Sequence, residues 1–178
     1  MIVGCTVFNS AKYNYTAKRD DYLTPDKFLY ELMEKEDIII FDCDVCCSVF
    51  NIPAIWHFKK DGLYNLDGQK KSNENGLTGD WYRLNWCNPP FKTAGLWVEK
   101  AYREMKNGNT TYMLVPARPE TKYWHDFILD EDGGTNRKNI KVKFLRKGLR
   151  FINPETRNNM GVYKNALALV IFEGSKNA

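Results

Sequence analysis

The sequence predicts an α/β sandwich, with a mostly parallel central sheet and an antiparallel hairpin at one edge. Three observations predict it. Helical stripes alternate with short apolar runs rich in β-branched residues, as helices packed on a buried sheet require. The last third of the chain then holds several strand-like runs in succession, which suits an antiparallel edge. Finally, 178 residues, 43% hydrophobic and 27% charged, fit one soluble domain with a proper core.

In chain order, residues 1–18 are polar and tyrosine-rich without periodicity, and read as a loose arm before a single domain over 19–178. "TPDKFLYELMEK" reads as a helix: Thr24 suits the N-cap, Pro25 the first helical position, and Phe28, Leu29, Leu32 and Met33 share one face. "DIIIFDCDV" reads as a buried strand whose far end carries Asp42 and Asp44. Residues 61–80, rich in Gly, Asn and Lys and nearly empty of core residues, read as a long flexible loop. "WYRLNWCN" is a strand ending at a proline pair. "AGLWVEKAYREMKNG" is the clearest helix, with Ala94, Trp97 or Val98, Ala101 and Met105 as its stripe, Glu99 placed to pair with Arg103, and Gly108 as its stop. "TTYMLVPA" reads as a buried strand and "PETKYWHDFIL" as a short helix opened by Pro119. "IKVKFL", "LRFIN" and "ALALVIFEG" complete the strands. There is no internal repeat.

Composition excludes several classes. No stretch approaches the roughly 18 apolar residues of a spanning helix, so no membrane is expected. "MIVGCTVFNSAKYNY" lacks the pattern of a secretory signal, and five cysteines make an odd number outside a small-secreted-domain pattern. The expectation is a cytoplasmic chain with free thiols and no obligatory protein partner. Cys43 and Cys46 have Cys-x-x-Cys spacing, but no second Cys or His pair stands at a suitable spacing and His57 and His125 are isolated, so no metal is expected. A net charge of +4 permits a polyanionic partner without demanding one. "RKNIKVKFLRKGLR" concentrates seven basic side chains. Among them Lys143, Arg146, Lys147 and Arg150 either meet phosphates or guard an edge strand.

The chemistry is carried by "NWCNPPF". Two consecutive prolines remove two donors and stiffen the exit of a strand. In open α/β sheets ligands bind beyond the strand carboxyl ends. There the Asn88 oxygen and a carbonyl of the proline-stiffened backbone offer two acceptors, and Phe91 a flat face. This claw of Asn88, Pro89, Pro90 and Phe91 suits an exocyclic amino group such as adenine N6. Accepting both hydrogens returns lone-pair density to a nitrogen that is otherwise a poor nucleophile.

From about residue 19 to 173 the chain resembles the DNA adenine N6-methyltransferases of phages and prophages. The resemblance shows in the ordered blocks "RDDYLTP", "DVCCS", "NGLTGDW", "WCNPPF", "WVEKA", "MLVPA", "FLRKGLRF" and "ALALVIF". It implies a Rossmann-like methyltransferase using S-adenosylmethionine, acting on DNA in a bacterial host cell. It implies that Asn88 and Pro89 bind the target amino group and Phe91 stacks on the base. It places Asp44, Thr24 and Pro25 on the cofactor, the last two at its methionine end. An acid normally preceding Gly-Leu is replaced by Asn75 in "NGLTGDW", whereas Asp61 in "DGL" has the acid at another spacing. Asn75 is the favoured contact to the cofactor's adenine, with Asp61 the alternative. Enzymes methylating RNA adenine or protein glutamine use the same tetrapeptide, and an inactive DNA-binding relative is the third reading. Carbon methylation of cytosine would need a nucleophilic cysteine, and Cys87 sits before the claw on a buried strand.

Overall fold

Alternation along a strand sends neighbouring side chains to opposite faces of a sheet, and here helices cover both faces. A computed structural model describes residues 22–175, and the arm expected over 1–18 lies outside them. The described elements are α1 (Asp26–Lys35), β1 (Phe41–Asp44), β2 (Ala54–Lys59), β3 (Gly62–Asn65), β4 (Lys70–Ser72), β5 (Leu84–Cys87), α2 (Ala94–Lys106), β6 (Thr110–Pro116), α3 (Lys122–Phe127), β7 (Ile140–Phe144), β8 (Arg150–Ile152), β9 (Asn159–Val162) and β10 (Leu167–Phe172). Eight strands form one sheet in the order β4-β3-β2-β1-β5-β6-β10-β7, and β8 and β9 form a separate hairpin. The central four, β2-β1-β5-β6, are parallel. At one end β10 runs antiparallel between β6 and β7; at the other β2, β3 and β4 form an antiparallel meander.

The two faces carry separate cores. Leu29, Leu32 and Met33 of α1 pack with Phe41, Trp86, Leu114 and Leu169 on one side. Ala94, Trp97, Val98 and Ala101 of α2 pack with Trp124, Cys43, Met113 and Val170 on the other. Neighbouring residues of β6 and β10 thus serve opposite layers. Each fully buried large apolar side chain contributes about 1.5–3 kcal/mol. Glu99 pairs with Arg103 on α2, and Gly108 adopts φ 93° just beyond the helix, as expected.

Several boundaries differ from expectation. α1 begins at Asp26 with Pro25 at its N-cap, and the Thr24 side chain makes no capping bond. The apolar run 38–40 is not strand: Asp37 turns left-handed (φ 53°), Ile38 N–H donates to Met33 O at 2.8 Å, and Ile39 is 91% exposed. Those residues terminate the helix before β1 starts. α3 starts at Lys122, with Pro119 in the turn before it. Residues 61–80 are not one loop, because β3 and β4 lie within them. Their Asp67-Gly68 turn (Gly68 φ 76°) is a hairpin signal, masked because Lys70 and Lys71 face solvent and leave no apolar alternation. Periodicity also leaves β2 unmarked. Among the described residues no helix is long and apolar enough to cross a membrane.

Candidate active site

The carboxyl ends of β1, β2 and β5 open onto one cleft. Its first chamber is lined by Tyr22, Thr24, Asp44, Asn51, Trp86 and Asn88. A second chamber of about 210 Å³ is lined by Cys47, Phe58, Asp61, Asn75 and Trp97. Cys46 and Ser48 line both, so the two chambers adjoin. A third, open cavity of about 740 Å³ lies beside them, walled by Tyr22, Phe91, Lys92, Arg118, Tyr163 and Lys164.

The claw stands between the first and third cavities. The segment entering α1 is tied to β8 by paired Leu23 and Ile152 bonds of 3.0 and 3.1 Å, which brings Tyr22 to Asn88. Asn88 Nδ2 donates to Tyr22 O at 2.6 Å. That bond fixes which way the amide points and leaves Oδ1 as an acceptor. Pro90 O accepts from Thr93 N–H at 3.0 Å, closing the one-turn 3-10 helix Phe91–Thr93. Phe91 meets the rings of Tyr22, Phe151 and Tyr163 edge-on at 6.2, 5.8 and 5.2 Å. Asn88 and Pro90 line the first chamber, whereas Phe91 lines the third. Pro89 is buried and lines none of the three cavities.

Asp44 is the buried acid of the cleft, 3% exposed. Burial pushes its carboxyl up to about 7, against bonds from the Cys46 N–H and the Cys47 thiol that favour ionisation. Asp42 has a structural task instead, accepting the Leu84 N–H at 2.9 Å. Thr24 Oγ1 and Trp86 Nε1 are buried beside Asp44 without hydrogen-bond partners among the described residues. Unsatisfied buried polar atoms cost roughly 1–3 kcal/mol each, so a cleft holding them fits a polar ligand, and the Asp44 carboxylate beside them favours a cationic end on it. Pro25 starts α1 and is not among the lining residues.

Asp61 and Asn75 reach the same chamber, but with different lone pairs to offer. Asn75 Oδ1 already accepts the Leu77 N–H at 2.9 Å. Asp61 follows β2, is exposed, and its bond from Tyr64 Oη at 2.6 Å holds it below the usual carboxylate range. Gly76 lets the Asn75 turn close on Val45, just beyond β1, since a Cβ there would collide with Val45 O.

The basic residues separate. Lys143 pairs with Glu36 at 2.6 Å across the sheet edge. Arg146 and Lys147 are exposed between β7 and the β8–β9 hairpin, and Arg150 is exposed at the start of β8; the hairpin packs on Phe91 through Phe151. Lys92, Arg118 and Lys164 line the third cavity, Arg118 paired there with Glu120 at 3.0 Å, and sequence patterning did not single them out. Nor did it single out Tyr22, Asn51 or Tyr163; only the block "RDDYLTP" pointed near Tyr22. Burial pushes the Cys87 thiol far up, so it is no nucleophile. Cys43, Cys47 and Cys87 carry free thiols, and His57, isolated in sequence, sits beside Asp44 and Cys47.

A parallel sheet edged by an antiparallel strand, with an acid-lined cleft beside Asn-Pro-Pro-Phe, defines a Rossmann-like methyltransferase. The chain belongs to the family described as DNA N-6-adenine-methyltransferase (Dam), whose sequence model matches residues 13–177. DNA is accordingly its substrate and adenine N6 the methylated atom. Among curated proteins, none matches the chain.

Proposed function

We propose that the chain transfers a methyl group from S-adenosylmethionine, bound across the two adjoining chambers, to an extruded adenine held in the third cavity. The observation that carries this reading is Asn88. Its amide nitrogen is tied to Tyr22 O at 2.6 Å, so its oxygen is the atom available between the two spaces.

The chain's own groups then have distinct tasks. Phe91, held edge-on by three rings, offers a face to the base, and Lys92 and Lys164 supply charge toward the flanking phosphates, whereas Arg118 is paired with Glu120. Asn88 Oδ1 and the Pro89 carbonyl accept the two amino hydrogens, concentrating the lone pair on nitrogen; these bonds strengthen as positive charge develops there. No titrating base is needed, since a methylated ammonium on an aromatic ring is acidic and releases its proton to water in the open cavity. S-adenosylmethionine supplies an electrophilic methyl group on a sulfonium centre. Asp44, with Thr24 Oγ1, holds the cationic end of the cofactor, and Pro25 fixes Thr24 at the start of α1. Asp61, beyond the second parallel strand, accepts from the nucleoside hydroxyls. Asn75 shapes that chamber through its turn rather than through a free oxygen. An acid in this chamber supports activity over an inactive DNA-binding relative. Arg146, Lys147 and Arg150 contact the DNA backbone, with Lys143 bracing the edge through Glu36. Free thiols support a cytoplasmic setting.

The test compares wild type and Asn88→Ala by methyl incorporation into unmethylated DNA, RNA and protein, with calorimetry of the cofactor. Incorporation into DNA alone, lost about 10²–10³-fold in the variant at nearly unchanged cofactor affinity, is expected. Undiminished turnover in the variant rejects the claw, and preferential labelling of RNA or glutamine amides rejects the substrate.

A further inference from the structure

We propose that Asp44, Cys47 and His57 form a three-donor site for a divalent transition-metal ion, with zinc the best match, in the wall of the cofactor cleft. A carboxylate oxygen, the thiol sulfur and a ring nitrogen from these residues all lie within 4.8 Å of one another. All three residues are buried, at 3%, 6% and 1% exposure. Donor atoms around tetrahedral zinc, with bonds of about 2.0–2.3 Å, stand roughly 3.5 Å apart. Capture therefore needs a contraction on the order of 1 Å, within the reach of side-chain rotation.

The backbone already sets the donors together. Asp44 and His57 are register partners across β1 and β2, and Cys47 N–H donates to Phe58 O at 2.9 Å. The His57 ring is oriented as metal-binding imidazoles commonly are, with one nitrogen on a backbone carbonyl. Nε2 meets Ala54 O at 3.0 Å, which sets Nε2–H as the donor and leaves the lone pair on Nδ1. Nδ1 is buried without a partner among the described residues. Phe50 stacks on the ring at 4.4 Å and holds its plane.

An oxygen, a sulfur and an imidazole nitrogen are the donor types zinc accepts, and three protein ligands leave its fourth position for water. On binding, the metal–sulfur bond replaces the thiol S–H bond of Cys47, and the proton goes to solvent. Sequence spacing had offered Cys43 and Cys46; the fold brings together a different set. One consequence rests on the proposed contact between Asp44 and the cofactor: an ion holding that carboxylate competes with cofactor binding.

Cobalt(II) is the probe, titrated into the full cofactor-free chain. The expected result is a thiolate-to-cobalt charge-transfer band in the near ultraviolet that saturates at one equivalent and is displaced by zinc. Cys47→Ser should abolish the band, and His57→Gln should weaken zinc binding about tenfold or more. Cys43→Ser and Cys46→Ser should leave it in place. Absence of the band in the wild-type chain, or its survival in Cys47→Ser, overturns the site; the wild-type arm stands even where a variant fails to fold. Calorimetry of S-adenosylmethionine with and without one equivalent of zinc then tests competition, with cofactor affinity expected to fall about tenfold or more. Undiminished affinity on the metal-loaded chain would leave the site standing and overturn Asp44 as a cofactor contact.

Discussion

Replacing Asp44 with Asn should stabilise the cofactor-free protein while weakening the cofactor. The carboxyl sits in the cleft floor at 3% exposure, and burial raises it from an ordinary 3.8 to about 7. Between those values the folded chain holds a proton that the unfolded chain has lost. Stability therefore falls as pH rises from about 4 to 7, and stays low above 7. A displacement of about three, at roughly 1.4 kcal/mol each, sets a ceiling near 4 kcal/mol on the cost of ionised Asp44 at pH 8. Asn fills the same volume without that cost. Urea denaturation at pH 5 and pH 8, on wild type and Asp44→Asn, isolates the effect as a difference of differences and removes the other carboxylates. The variant should gain on the order of 2–4 kcal/mol relative to wild type at pH 8, and much less at pH 5. Calorimetry at pH 8 should show cofactor affinity reduced by at least about tenfold, because a charge-assisted contact of roughly 1.5–3 kcal/mol has gone. Equal pH dependence in the two proteins would show that Asp44 is not desolvated and would remove the reason for giving it a cationic ligand.

Phe91→Leu keeps apolar volume but not the flat face, so catalytic efficiency on DNA should fall by about 1–3 kcal/mol, with Phe91→Trp retaining most of it; steady-state kinetics decides. Neutralising Arg146, Lys147 and Arg150 to Gln should weaken DNA affinity and reduce the salt slope by about one for each phosphate no longer neutralised, read by fluorescence anisotropy across salt concentrations. Lys143→Gln should shift the slope far less, because its ammonium is held by Glu36. Gly76→Ala drives a Cβ toward Val45 O, so the melting point should drop by an amount equivalent to about 1–3 kcal/mol and cofactor affinity should fall with it.

Much of the layout is a local property of the chain. The 3.6-residue stripe of α2 and the unbroken apolar runs of β6 and β10 are written in neighbouring residues, and each element forms where its pattern lies. The proline pair after β5 marks the claw because proline acts on its own backbone. The ordered blocks from "RDDYLTP" to "ALALVIF" pointed to the family that the match over residues 13–177 shows. Local pattern failed where a strand carries solvent-facing lysines, as in β4, or where an apolar run ends a helix, as at Ile38 to Ile40.

What the tertiary structure decided concerns groups distant along the chain. Tyr22 fixes the Asn88 amide from 66 positions away, and Glu36 holds Lys143 from 107. Asp42 and Asp44 look alike in sequence, yet one carries the Leu84 amide and the other is stripped of water in the cleft. Asn75 has the family spacing, but the fold uses its oxygen in a turn and brings Asp61 to the same chamber. Periodicity reports which face a residue takes. Desolvation and pairing depend on what packs against that face, and only the folded chain supplies it.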